Sequence, residues 1–204
     1  MTPDQIERYF KRGEDFAFAR WERPIVPMVL GVEAETLSVV KGAIEAIVAL
    51  AGHKMAETDP EMGANLYFFF LRSWAELRDV PELEGLVPGL AGIIERCETA
   101  NANQYRLFRF EENGAIRAAI VFIRMDRELS SLPADALALS QATQVILDWG
   151  EDAFRTRSPL AVAVGQAVLR PEVADLIRAA YAPELPAAAS DRSFALRLFA
   201  RLGQ

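Results

Sequence analysis

Chemistry needs side chains that ionise, coordinate or attack, and this chain is sparing with them. It has one histidine, His53, and one cysteine, Cys97, in 204 residues. A Ser–His–Asp relay would have to run through His53, and no Gly-x-Ser-x-Gly elbow is there to present the serine. His53 follows a helical pattern that ends at Gly52, where an imidazolium would complement the helix dipole. Cys97 continues the apolar rhythm of Ile93 and Ile94 and reads as a small core residue. A lone cysteine excludes an intrachain disulfide and a cysteine-based zinc site. With no Walker A segment and no G-x-G-x-x-G, bound nucleotide phosphates are not expected.

Carboxylates are plentiful but weakly placed. Glu33 and Glu35 belong to a helix start, and Glu57, Asp59 and Glu61 sit in a loop that lacks EF-hand spacing. Glu111 and Glu112 are at a hairpin tip. All read as solvated surface groups. Glu151 and Asp152 are the first candidates if a hydrolase assembles carboxylates from separate segments, and a glycosidase-type pair stays open in the same way.

The most informative polar cluster is in 137-LALSQATQVILDWG-150. Ser140 and Gln144 are four residues apart, one turn along a helix face, and Gln141 and Asp148 flank them. Leu139, Ala142, Ile146 and Trp149 form an apolar seam that would dock on a sheet. The simplest reading, and the leading one, makes Gln141, Gln144 and Asp148 the wet side of this helix, with Ser140 partly buried. The alternative starts from spacing. In an H-E-x-x-H helix two histidines four apart hold zinc and the glutamate after the first is the base. Ser140, Gln141 and Gln144 stand at those positions, and hydroxyl and amide groups are poor substitutes for imidazole and carboxylate. That predicts a vacated groove that binds a peptide or other neutral polar ligand through Ser140, Gln141, Gln144 and Asp148. It predicts no catalytic residue, no metal and no cofactor.

These residues need a scaffold. Thr2 and Pro3 open a first helix that Gly13 ends. ARWERPIVPMVLG is extended but carries Pro24 and Pro27, which places it at a sheet edge. Residues 34–53 are helical, 64–71 (ANLYFFFL) form a strand covered on both faces, and a helix starts near Pro88. QYRLFRF-EENG-AIRAAIVFIRMD is a hairpin turning at Asn113–Gly114, where both residues tolerate positive φ. Its second arm is an interior strand; the first, with Arg106 and Arg109, is more exposed. After Asp126 only helices are expected, over 135–149, 160–169, 171–181 and 190–202.

The order predicts an α+β fold with a mixed sheet of about four strands and packed helices. One domain spans 1–204, with strands in 1–130 and an all-helical part in 131–204. A net charge of −7 and no basic stretch interleaved with aromatics argue against nucleic acid as a partner. No apolar run reaches the about 18 residues that span a bilayer. The N-terminus lacks the apolar centre of a signal peptide. That implies a cytoplasmic protein if the chain is complete, and a periplasmic or secreted one if a leader was removed. A protein partner is a third expectation: Trp21, Trp74 and the helix SFALRLFARL supply apolar surface for docking.

The segments IERYFKRGEDFAF, RWERPIVPMVLG, GANLYFFFL, RAAIVFIRMD, TQVILDWGED and LIRAAYAPEL together resemble a bacterial domain-of-unknown-function family that is similar to zincin-type metallopeptidases. The resemblance spans most of the chain through short motifs. It implies a zincin-like fold with the LALSQATQVILDWG helix under the sheet. Where that family tends to carry paired glutamates before its Thr-Gln, this chain has Ser140 and Gln141. Peptidase activity is therefore not implied.

Overall fold

The computed structural model describes residues 1–203. Helix α1 (Pro3–Tyr9) opens with a capping box: the Thr2 hydroxyl accepts from the Gln5 amide, and the Gln5 side chain accepts from the Thr2 amide. Short strands β1 (Lys11–Arg12), β2 (Asp15–Phe16) and β3 (Phe18–Ala19) follow, then β4 (Pro27–Leu30), α2 (Ala34–Leu50), β5 (Leu66–Leu71), α3 (Leu83–Leu86) and α4 (Leu90–Thr99). The hairpin β6 (Gln104–Phe110) and β7 (Ile116–Arg124) leads to α5 (Ala134–Val145). The chain ends with β8 (Leu160–Ala163), β9 (Gln166–Leu169), α6 (Pro171–Ala180), β10 (Ala188–Ala189) and α7 (Phe194–Phe199).

The central sheet has the order β4-β5-β7-β6. The first three strands are parallel, and β6 is the antiparallel edge. This is the mixed four-stranded sheet expected, with the proline-containing β4 at one edge and β7 in the interior. Strand alternation divides the side chains between two cores. Leu66, Phe68, Phe70, Val121 and Ile123 pack beneath α2 and α5, with α6 and α7 beyond. Tyr67, Phe69, Leu71, Ile120 and Phe122 pack against α4 and the turn that holds Trp74 and Leu77. Cys97 is buried in this second core, as its apolar rhythm predicts.

Three expectations are corrected. The C-terminal part is not all helical, because 160–169 is the hairpin β8–β9 and β10 returns to pair with β3. The arms LAVA and QAVL meet at Val164–Gly165, where both residues have positive φ, so they form a tight hairpin turn without an Asn-Gly pair. At the β6–β7 turn only Gly114 adopts positive φ, +83°. Asn113 acts instead through its side chain, whose Oδ1 accepts from the Ala115 amide at 3.0 Å. The third correction concerns α5, which stops at Val145 rather than continuing to Trp149.

The last carbonyls of a helix have no partner within it. Here aromatic donors take them. The Trp149 indole donates to Thr143 O and the Trp21 indole to Val145 O, each at 2.8 Å, and Tyr181 Oη donates to Ile146 O at 2.9 Å. Beyond the helix, Leu147 bridges Arg20 and the Asp148 amide donates to Ala19 O. Gly150 crosses Lys11 so closely that an added Cβ would lie 2.3 Å from the Lys11 carbonyl oxygen. Residues 147–150 thus run across the N-terminal strands.

Candidate functional site

Strand periodicity sets one wall of the site. Tyr105 and Leu107 face the second core, so Gln104, Arg106 and Phe108 face the α5 side. The β6 arm is the more exposed of the two, as expected, yet Arg106 on it is turned inward. Its Nη2 donates to Gln104 Oε1 and to Gln141 Oε1, both at 2.7 Å. Gln141 Nε2 donates back to Gln104 Oε1 at 2.8 Å. The three side chains form a closed polar knot between the edge strand and α5.

Arg106 has no carboxylate within ion-pair distance among the described residues. Its Nε is enclosed and unpartnered. Burial pushes its pKa down to about 10, because nothing of opposite charge offsets the lost hydration. Arg12, Arg20 and Arg23 also have an enclosed Nε, but Arg12 and Arg23 hold carboxylates and Arg20 donates to two backbone carbonyls.

A cleft of about 380 Å³ opens over this knot. Gln104, Arg106 and Phe108 form one side, Gln144 comes from α5, and Trp149, Phe154, Arg12 and Arg155 complete the walls. Its volume is in the ligand-site range. Phe10 stacks on Trp149 at 5.5 Å and Phe154 meets the same indole edge-on at 5.0 Å, so the apolar wall is braced from behind. Glu151 is the only carboxylate on the lining; it is exposed and lies where the cleft adjoins a larger groove of about 700 Å³ beside α1.

Four residues were expected to bind ligand, and each has a definite place. Gln144 reaches the cleft wall, and its Nε2 donates to Ser140 Oγ at 3.1 Å. Ser140 is half-buried and held by that bond. Gln141 is only 2% exposed and belongs to the Arg106 knot. Asp148 lies beyond the helix, 4% exposed, and pairs with Arg12, which also donates to Trp149 O. Burial pushes the Asp148 carboxyl up to about 6, with the Arg12 guanidinium opposing the rise. The leading expectation of a wet face of Gln141, Gln144 and Asp148 is thus overturned for Gln141 and Asp148, while Gln144 stays partly exposed. Burial of Gln141 follows from its partners on β6, which were invisible in a helical pattern.

Other candidates take structural roles. His53 Nε2 donates to Arg23 O at 2.9 Å, and the ring packs on Tyr181. Burial, with Arg20 and Lys54 nearby, holds its pKa below the usual value, so the imidazolium expected at the helix end is disfavoured. Asp59 is buried, not solvated. Burial alone would raise its pKa, but the Glu61 and Met62 amides, Arg23 and Asn65 outweigh it and hold the carboxyl below its ordinary value. Glu151 and Asp152 are exposed, and Asp152 pairs with Arg155 at 3.1 Å. Trp21 and Trp74 are buried and offer no docking surface, while α7 buries Phe194, Ala195 and Leu198 and exposes Leu196 and Phe199.

Arg106 is the site residue that the sequence did not disclose. The available signal was the period-two set Gln104, Arg106, Phe108 on an arm whose alternate residues are apolar. Among the described residues no three His, Cys, Asp or Glu side chains gather as a metal site. No helix is long and apolar enough to cross a membrane. No protein-family model, curated protein or solved structure matches this chain.

Proposed function

We propose that this protein is a non-catalytic, zincin-like binding domain that holds a peptide or other small polar ligand in the cleft between β6 and the segment after α5. The observation that carries the reading is the Gln104–Arg106–Gln141 knot, a polar network that opens onto a cleft with an aromatic wall. Polar groups fixed by one another on rigid elements are what orients a ligand, and an apolar wall supplies most of its buried area.

The zincin-like plan is supported by arrangement. A helix follows the last strand of the sheet, packs on that sheet, and faces an antiparallel edge strand. Ser140, Gln141 and Gln144 stand on it where a metallopeptidase would place ligand, base and ligand. Gln141 is committed to Arg106 and Ser140 to Gln144, so this face has become a support for the cleft.

A thermal-shift panel of short peptides, small organic acids, amides and sugars tests the proposal against wild type and Gln144→Trp, which fills the cleft. Compounds that raise the wild-type melting temperature and leave Gln144→Trp unshifted support it. A panel without a stabilising compound, or one that stabilises both proteins equally, contradicts it.

A further inference from the structure

We infer that the cleft recognises a carboxylate, with Arg106 as its counterion and Phe108, Trp149 and Phe154 receiving the apolar group attached to it. This rests on the cleft being a ligand site, and names the chemistry of the ligand.

The protein carries −7 overall, yet the lining of this cleft holds three arginines and one glutamate. Two of the arginines are already matched: Arg12 pairs with Asp148 and Arg155 with Asp152. Arg106 is unmatched, and its contacts are to neutral amides. An amide oxygen orients a guanidinium but does not neutralise it. A desolvated, unpaired cation is costly for a fold to retain. Where such a group lines a cavity, an anion that enters supplies the missing half of an ion pair.

Glu151 is exposed on the rim, so the one enclosed charge without a counterion is that of Arg106, which fits a monoanion better than a dianion. Both Nη2 protons are taken by Gln104 and Gln141 and Nε is enclosed, so the carboxylate is met by Nη1, in a charge-assisted hydrogen bond. The aromatic walls require that this anion have an organic body, which inorganic phosphate lacks. A free organic acid and the C-terminus of a peptide share this chemistry. Glu151, exposed on the rim, disfavours a second negative group at that end of the ligand.

Isothermal titration with hydrocinnamate, hydrocinnamamide, inorganic phosphate, and a phenylalanine-ending tripeptide as acid and as amide tests the inference. Each acid is expected to bind at least about tenfold more tightly than its amide, as a lost charged hydrogen bond requires. Hydrocinnamate should also outbind phosphate. The better of the two acids identifies the source. Arg106→Gln should abolish the preference for acid over amide, and Arg106→Lys should keep part of it. If Arg106→Gln does not fold, the lysine variant and the wild-type acid–amide ratio still decide. Acid and amide binding alike, both lost in Gln144→Trp, would overturn the carboxylate inference and leave the cleft as a ligand site. Absence of binding by every probe would overturn the inference, and absence of any stabilising compound in the wider panel would overturn the site itself. Phosphate binding more tightly than hydrocinnamate would also overturn the inference.

Discussion

Gln141 on α5 accepts from Arg106 on the edge strand β6 at 2.7 Å, so a cation and a neutral amide, with no carboxylate, join helix to sheet. Replacing Gln141 by leucine removes one of two acceptors from a desolvated guanidinium. Unfolding by urea should show a loss of about 1–3 kcal/mol. Gln141→Glu does the opposite: it supplies the missing counterion in place. That variant should melt at a higher temperature than wild type and bind hydrocinnamate at least about tenfold more weakly, since its own carboxylate occupies Arg106. A variant that melts higher and binds as well as wild type would contradict the role given to Arg106.

Asp148 makes the cleft sensitive to pH. Folding raises its pKa from 3.8 to about 6. A raised carboxyl pKa means that the native state holds the proton more tightly than the unfolded state. The contribution to stability is then fully present below pH 3.8 and is lost as pH rises through about 6. Protonation also frees the Arg12 charge on the cleft wall. Hydrocinnamate should therefore bind more tightly at pH 5.5 than at pH 7.5, and Asp148→Asn should bind equally at both. Titration calorimetry at the two values checks this.

Zinc should not bind stoichiometrically. Ser140, Gln141 and Gln144 are bonded to each other or to Arg106, and none is imidazole or carboxylate. Metal analysis of purified protein and a zinc titration test this; one tightly bound zinc per chain would contradict it.

Two substitutions test the frame around the site. Trp21→Phe leaves the Val145 carbonyl without its indole donor in a buried place. Chemical denaturation should show a loss of about 1–3 kcal/mol. Val164 is fully exposed at φ +52°, a region that β-branched residues avoid. Val164→Asn should gain about 1 kcal/mol by the same measurement.

What could be read from the sequence followed from local signals. The apolar run Leu66–Leu71, the helical period of Ala34–Leu50 and the arms around Gly114 each encode their own structure, and together they assemble the sheet. What could not be read came from contacts distant along the chain. The end of α5 is set by Trp21 and Tyr181, whose donors take carbonyls that the sequence of the helix itself leaves open. Val164–Gly165 turns a hairpin without the usual residue pair, so the arms on either side looked helical. At the site, Gln144 stood out by its spacing, but Arg106 did not. An arginine on a strand reads as solvent-facing until the neighbour that buries it is known, and that neighbour, Gln141, lies 35 residues away.

The most direct measurement is a crystal structure of the protein with hydrocinnamate. The account predicts the carboxylate within hydrogen-bond distance of the Arg106 guanidinium and the phenyl ring against Trp149 and Phe154. Hydrocinnamate absent from the cleft at saturating concentration, or seated there with its carboxylate away from Arg106, would contradict it.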